Sequence, residues 1–366
     1  MTMRSLWTEK RNGMETSLLC IGGILAAICM AAAPAAAEES RRDVLVLTST
    51  NGTTNDVVVF RLSGAGTPAL SLVNMVPTGG AGGASGNAGV LQFADENGAV
   101  ANYGSNTVSQ LKRNGDLIKV GETIRLATGC LSPVSVALTR NQLFVAGANC
   151  AESHQWPSGN LSGAAVKLPD ATAAQIAAGQ SWAAVTLKSG SVLQLPLTTG
   201  GALNGTGTSV TLPGTANNTP FGAAFWGDLL GFNPAHSADS LALVNNQRIV
   251  FPIPGPQPPF PANAPCWVAK GPGNLWYTGN SPGHAVSIFF SDGQGGAFDK
   301  SVPLPGAPTD LTVSPDKKWL AVIYTATDGT GGHVAVFSID AYGDLSLFAT
   351  SGAIGVTSFN GVAISE

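Results

Sequence analysis

Repetition constrains this chain more than any other property of its sequence. Gly89-Val90-Leu91-Gln92-Phe93-Ala94 leads to Val100-Ala101-Asn102-Tyr103, then to Thr107-Val108-Ser109-Gln110-Leu111 and a turn at Asn114-Gly115-Asp116. The same order returns as Ala264–Ala269, Leu275–Asn280, Ala285–Phe290 and the turn Ser291-Asp292-Gly293. It returns again as Pro308–Val313, Trp319–Tyr324, His333–Phe337 and Tyr342-Gly343-Asp344. Each unit reads strand, turn, strand, loop, strand, glycine turn, strand. Short β-branched and aromatic runs are strand signals, and the Asn-Gly and Asp-Gly turns suit tight hairpins. Four antiparallel strands per repeat, arrayed radially, make the blade of a β-propeller.

Spacing gives the number of blades. Innermost strands are expected to begin near Val90, Val134, Gly222, Cys266, Thr309 and Asn360, at intervals of 44, 88, 44, 43 and 51 residues. The interval of 88 is two repeats, so one further blade lies between, and the runs Ala183–Leu187, Val192–Leu195 and Val210–Leu212 fit its strands. The total is seven. Val44–Leu47, Val57–Phe60 and Leu70–Val76 read as the second, third and fourth strands of a blade lacking its first, while Phe359–Ile364 is a first strand without companions. Joining them closes the ring and removes the exposed sheet edges. The expected fold is therefore all-β, a seven-bladed propeller closed by the C-terminal strand joining the N-terminal blade. Composition agrees, with 46 Gly, 23 Pro and only 11% charged residues.

The first 37 residues read as a signal peptide: Lys10 and Arg11, the apolar run Leu18–Ala33, then Ala35-Ala36-Ala37. Residues 38–366 form the expected single domain, exported to the periplasm or secreted, with no membrane span after processing. The whole chain carries a net charge of −4, and residues 1–37 hold three basic and two acidic groups, so residues 38–366 carry −4 − 1 = −5. Basic residues are not clustered, so nucleic acid and anionic membrane surfaces are not expected partners. The chain is expected to be a monomer.

Cys130 precedes an inner strand and Cys150 ends the strand after it, so the two sulfurs meet if those strands form an antiparallel hairpin. A disulfide is expected there, as an oxidising compartment permits. Cys266 starts a later inner strand beside Trp267, with no His nearby in sequence, and reads as a packed thiol. His154, His236, His284 and His333 are each expected in loops after a second strand, on the face where inner strands begin. His154, His284, His333 and Asp310 are the weak candidates for acid–base work. No His-x-x-x-His or Cys-x-x-Cys spacing occurs, so no metal and no cofactor are expected. Asn102, Tyr103, Asn106, Asn149, Asn245 and Asn280 recur near strand ends. Turn geometry accounts for such asparagines, and the functional alternative is a ring of amide and phenol donors around the channel mouth. Asn102, Tyr103, Asn149, Trp156, Trp267, Tyr277 and Tyr324 are the expected ligand-binding set. The stretch Ala151–Gln180 reads as a long insertion, with a short helix over Ala171–Ala178 and a specificity role.

The repeats resemble lactonase-type seven-bladed propellers, the family of bacterial 6-phosphogluconolactonase and of carboxymuconate cyclase. The resemblance is carried by Tyr-x-x-Asn followed by Val-Ser-x-apolar, as in Tyr103–Asn106 with Val108–Leu111 and Tyr277–Asn280 with Val286–Phe289. It implies lactone or ester hydrolysis, or cyclisation, with His and Arg at the starts of inner strands. Here those starts read Gly-Val-Leu, Pro-Val-Ser, Phe-Gly-Ala, Cys-Trp-Val and Thr-Asp-Leu, with Asp310 the one ionisable residue. The expected function is an exported lactonase-like propeller acting on or binding a small polar organic molecule at the channel mouth. The alternative is a non-catalytic propeller that binds an exported protein or a glycan.

Overall fold

A computed structural model describes residues 43–64, 67–211, 219–235, 239–245, 248–255 and 265–366. The expected signal peptide and His236 lie outside the described residues. Seven four-stranded antiparallel sheets account for every named strand. Blade 1 contains β1 (Val44–Ser49), β2 (Asp56–Ser63) and β3 (Ala69–Pro77). Blade 2 is β4 (Leu91–Ala94), β5 (Asn97–Asn102), β6 (Thr107–Asn114) and β7 (Leu117–Arg125). Blade 3 is β8 (Pro133–Leu138), β9 (Gln142–Gly147), β10 (Cys150–Gln155) and β11 (Val166–Lys167). Blade 4 is β12 (Ala173–Ala178), β13 (Trp182–Leu187), β14 (Ser191–Pro196) and β15 (Thr208–Thr211). Blade 5 is β16 (Thr219–Trp226), β17 (Leu229–Ala235), β18 (Asp239–Asn245) and β19 (Arg248–Pro254). Blade 6 is β20 (Pro265–Lys270), β21 (Leu275–Asn280), β22 (Ala285–Ser291) and β23 (Gly296–Pro303). Blade 7 is β24 (Gly306–Val313), β25 (Trp319–Ala326), β26 (Gly332–Ile339) and β27 (Leu345–Thr350). Finally, β28 (Asn360–Ser365) pairs with β1 and is the inner strand of blade 1, as the repeat pattern requires.

The apolar runs are buried on both faces because each blade is covered by its two neighbours. Leu45, Leu47, Val57 and Val59 of blade 1 share one cluster with Val100, Val108 and Leu111 of blade 2, all fully or almost fully buried. Similar clusters join blades 3 and 4, 4 and 5, 5 and 6, and 6 and 7. Blade 7 meets blade 1 through Phe60, Ile323, Val336, Phe359 and Ile364. The core is therefore a ring of inter-blade seams around an axis, which leaves the axis itself to the inner strands.

A β-bulge recurs at the same place in six inner strands. Val134, Ala174, Cys266, Thr309 and Gly361 are each passed over in the pairing with the neighbouring strand, as are Phe221 and Gly222. In four of the six the residue before the bulge is proline, at positions 133, 220, 265 and 308. Proline has no N–H to contribute to a ladder, so it sits where the ladder is already interrupted. A bulge bends its strand, and here the first residues of the inner strands carry the bend. Blade 2 has Gly89 at the corresponding position, with φ 65°, just before Val90 accepts a backbone bond from Ala101.

Ala151–Gln180 is not an insertion. It contains β10, β11 and the inner strand of blade 4, and the expected helix over Ala171–Ala178 is the strand β12. Alanine favours helix in isolation, but Ala173–Ala177 is buried between two other inner strands, and the ring decides its conformation.

Candidate functional site

The channel mouth on the face where inner strands begin is filled. Asn87, Ala88 and Gly89, at the start of the blade 2 inner strand, cross the axis and bond to five other blades. Asn87 Nδ2 donates to Val134 O at 2.5 Å, and its Oδ1 accepts from Asn360 Nδ2 at 3.1 Å. Its backbone carbonyl accepts from the Trp267 indole at 3.4 Å. Ala88 N donates to Ala174 O, Val136 N donates to Gly89 O, and Gly89 N donates to Asp310 Oδ2 at 3.1 Å. Phe221 of blade 5 meets Trp267 edge to face at 5.8 Å, and both share a buried cluster with Ala88.

Beneath this plug lies an axial cavity of about 210 Å³ that reaches the ends of the inner strands. Small side chains make the room: Ala137, Ala177, Ala178, Ala223, Ala224 and Ala269 come from four consecutive blades. Gln92, Gln175 and Thr312 are its neutral polar groups. Asp310 lines its closed end and is 5% exposed. Burial pushes its carboxyl up to about 7, against the opposing pull of the Gly89 and Leu311 amides. Those amides bond one oxygen each, Leu311 N reaching Oδ1 at 2.9 Å. Lys317 lines the open end from an exposed turn, its Nζ 3.3 Å from Lys270 O. Packing around the Lys317 stem holds its pKa below the usual lysine value. Lys270 also lines this end, but its ammonium turns away to the carbonyls of Gly271, Gly273 and Leu275 and lies over the Trp226 and Trp276 rings. Desolvation, then the charge of Lys317, lower its pKa to about 8.

The expected site residues do not converge. Asn102 is fully buried at the blade 1–blade 2 seam. Its Nδ2 donates to Ser109 and Thr107, and its Oδ1 accepts from Asn55 and Thr78. Asn280 makes the matching bond to Ser287 in blade 6, so Asn102 and Asn280 are structural equivalents. Tyr103 lies in a short 3₁₀ turn and is not the counterpart of Tyr277, whose buried hydroxyl donates to Gly343 O. Burial also raises the Tyr277 pKa. Asn149 braces the Ala127–Ser132 loop through Gly129 O and Leu131 N. Trp156 packs on the blade 2–blade 3 core, Trp267 belongs to the plug, and Tyr324 stacks on His333 at 5.5 Å.

The expected loop placement is corrected for His154 and His333. His154 is in strand β10, not a loop, because its blade lacks the assumed insertion. It is 2% exposed, with Nε2 2.8 Å from Glu152 Oε1 and Nδ1 2.9 Å from Gly159 O. Both ring nitrogens are engaged by protein partners and the ring is buried, so neither is presented to a substrate. His284 stands in a turn with φ 45°. His333 lies in β26, its Nε2 2.8 Å from Thr330 Oγ1, while the hydroxyl donates to Asp328 Oδ1 at 2.6 Å. The hydroxyl proton goes to the carboxylate, which makes the trio a turn cap and not a nucleophile–base pair.

The disulfide expectation holds: Cys130 and Cys150 are joined, although Cys150 begins β10 and does not end β9. Glu152 lies within 4.8 Å of both sulfurs, but sulfurs bonded to each other offer no thiolate to a metal. Cys266 is half-buried and its thiol is pushed up to about 12 by burial. Sequence reasoning missed Asn87, Gln175, Lys317 and Glu152. A run of Gly and Ala before Asn87 was the available sign that the backbone comes close to something there.

Neither a protein-family model nor a curated protein matches the chain. Solved structures do. A Lactobacillus plantarum protein aligns at TM-score 0.68 and 16% identity, covering 89% of this chain and 99% of its own. A candidate 6-phosphogluconolactonase from Bacteroides fragilis aligns at 0.64 and 12% identity, covering 90% and 99%. The periplasmic gluconolactonase PpgL of Pseudomonas aeruginosa aligns at 0.63 and 15% identity, covering 88% and 98%. At these identities the similarity is one of fold, the seven-bladed β-propeller.

Proposed function

We propose that the protein is an exported lactonase-type propeller that binds a small polar organic molecule in its axial cavity without turning it over. One observation carries this reading. Among the described residues the cavity is lined by a single carboxyl group, Asp310, whose two oxygens each accept a backbone amide, and no second acid, base or nucleophile bonds to it. Catalysis of lactone opening needs a base or nucleophile within reach of the carbonyl and a group for the developing charge. The plug removes the inner-strand mouth as a place for that chemistry and leaves the strand-end face as the route in. At about 210 Å³ the cavity is smaller than the ~300–1,000 Å³ of drug-sized sites, which restricts the ligand to a small molecule. Export is supported by the signal-like first 37 residues, by the Cys130–Cys150 disulfide and by the likeness to a periplasmic protein.

A panel of sugars, sugar lactones, simple esters and amino acids tests both halves. Thermal shift on residues 38–366 is expected to show saturable stabilisation by at least one compound, and hydrolysis of glucono-lactone is expected to stay at the buffer rate. Lactone turnover that disappears in Asp310→Asn would overturn the non-catalytic half. Absence of stabilisation by every compound would overturn the binding half.

A further inference from the structure

The axial cavity is chemically polarised along its length. Its closed end carries the carboxylate of Asp310, 5% exposed and bonded only to two backbone amides. A buried carboxylate without a cation is unfavourable. Its oxygens retain acceptor capacity after one bond each. Its open end carries the ammonium of Lys317. The neighbouring acidic group, Asp316, is engaged elsewhere, with Lys318 Nζ at 2.8 Å and Ser314 Oγ at 2.7 Å. Lys270, the other cation at this end, is held in its own carbonyl and indole cage. Between the two ends Ala177, Ala223, Ala269, Ile176 and Val313 form the aliphatic part of the wall, beside the neutral side chains of Gln92, Gln175 and Thr312. From Asp310 to the end of β24 at Val313 is three residues, about 10 Å at strand rise.

A ligand complementary to this order is positive at one end, aliphatic in the middle and negative at the other. We infer that the cavity takes a small zwitterion of the ω-amino carboxylate class, its ammonium on Asp310 and its carboxylate on Lys317. The inference rests on the binding function proposed above and narrows its ligand. An ammonium satisfies the charge that the plug leaves uncompensated. The Lys317 contact, near water, selects polarity more than it adds affinity. A sugar or lactone would satisfy Gln92, Gln175 and Thr312 and bring no counter-charge to Asp310, which holds two backbone amides, or to Lys317, which holds the Lys270 carbonyl.

The test is calorimetry on residues 38–366 with 6-aminohexanoate, hexylamine, hexanoate, glycine and glucono-lactone as probes. 6-Aminohexanoate is expected to bind about three- to fivefold more tightly than hexylamine and to exceed hexanoate by more. Asp310→Asn keeps the shape and is expected to weaken 6-aminohexanoate about tenfold or more, with no loss for hexanoate. Lys317→Asn sits in an exposed turn that asparagine tolerates, and is expected to weaken 6-aminohexanoate about three- to fivefold while leaving hexylamine unchanged. Equal affinity for 6-aminohexanoate and hexanoate, or full retention in folded Asp310→Asn, would overturn the inference. Binding of glucono-lactone alone would overturn it while leaving the cavity as a binding site. Binding of none of the probes, nor of any compound in the wider panel, would remove both.

Discussion

Asp310 ties chemistry to stability through one carboxyl group. Its pKa in the folded protein is about 7, against 3.8 for the free side chain. Between about pH 4 and 7 the folded state holds a proton that the unfolded chain has released, so this group makes stability fall as pH rises across that window. The shift of about three units corresponds to about 4 kcal/mol at most. The melting temperature of residues 38–366 should therefore decline from pH 5 to pH 8, and Asp310→Asn should flatten that decline. An unchanged slope in the variant would show that Asp310 is not the titrating group. Asn102 gives a second residue-scale prediction. Its amide makes four side-chain hydrogen bonds in a fully buried seam, so Asn102→Ala should destabilise by about 2–4 kcal/mol in denaturant titration. Ligand affinity in the variant should stay at the wild-type value, because Asn102 is a seam residue. The Tyr-x-x-Asn pattern could not reveal this, because read as Tyr103–Asn106 it aligns Asn106, not Asn102, with Asn280. Tyr103 and Tyr277 look alike in sequence, yet the hydrogen-bonding equivalents are Asn102 and Asn280, which only the strand register shows.

At the scale of elements, repeat length and turn chemistry make the blades legible in the sequence alone. The hairpin logic did the same for the Cys130–Cys150 bridge. What stayed hidden was local. β12 is nearly all alanine and glutamine, a composition that favours helix, and it becomes a strand because its neighbours in the ring supply the pairing. Missing it turned β10 and β11 into an apparent insertion and put His154 in a loop. The recurring bulge was equally invisible, since it changes the pairing by one residue without changing composition. It has a measurable consequence at Gly361, which has φ 78° and where an added Cβ would lie 2.7 Å from Leu91 N. Gly361→Ala should lower stability by about 2 kcal/mol or more, through left-handed strain and the close approach to blade 2. Gly115, with similar φ but open surroundings, is the control and should lose only the conformational part. The disulfide closes a separation of 20 residues, and chain entropy assigns such a loop about 3 kcal/mol. Reductant should lower the melting temperature of the wild type and leave Cys130→Ser/Cys150→Ser unaffected.

For the whole molecule, closure is the property on which the site depends. The cavity has a wall only where seven inner strands stand side by side, and β28 supplies one of them. It pairs with β1 from Leu45–Ser365 to Ser49–Asn360, and Thr48 Oγ1 adds a bond to Gly361 O. Asn360 also holds the plug through Asn87, and Val362 lines the cavity. Without β28, blade 1 loses its inner edge. Blades 7 and 2 would then expose the faces that Phe359, Ile364 and Ala363 now cover. An open ring presents unpaired strand edges and bare apolar seams, so the loss propagates and does not end as a frayed terminus. Removal of Phe359–Glu366 should therefore abolish the single cooperative unfolding transition of residues 38–366. It should also expose hydrophobic dye-binding surface and eliminate ligand binding. A peptide spanning residues 356–366, added in excess, should restore the transition in proportion to its concentration, as linkage requires of any segment that binds only the folded state. A truncated protein with the wild-type melting temperature would show that six complete blades and an open seventh are stable alone. Restoration of folding by the peptide without restoration of binding would place the ligand outside the axis.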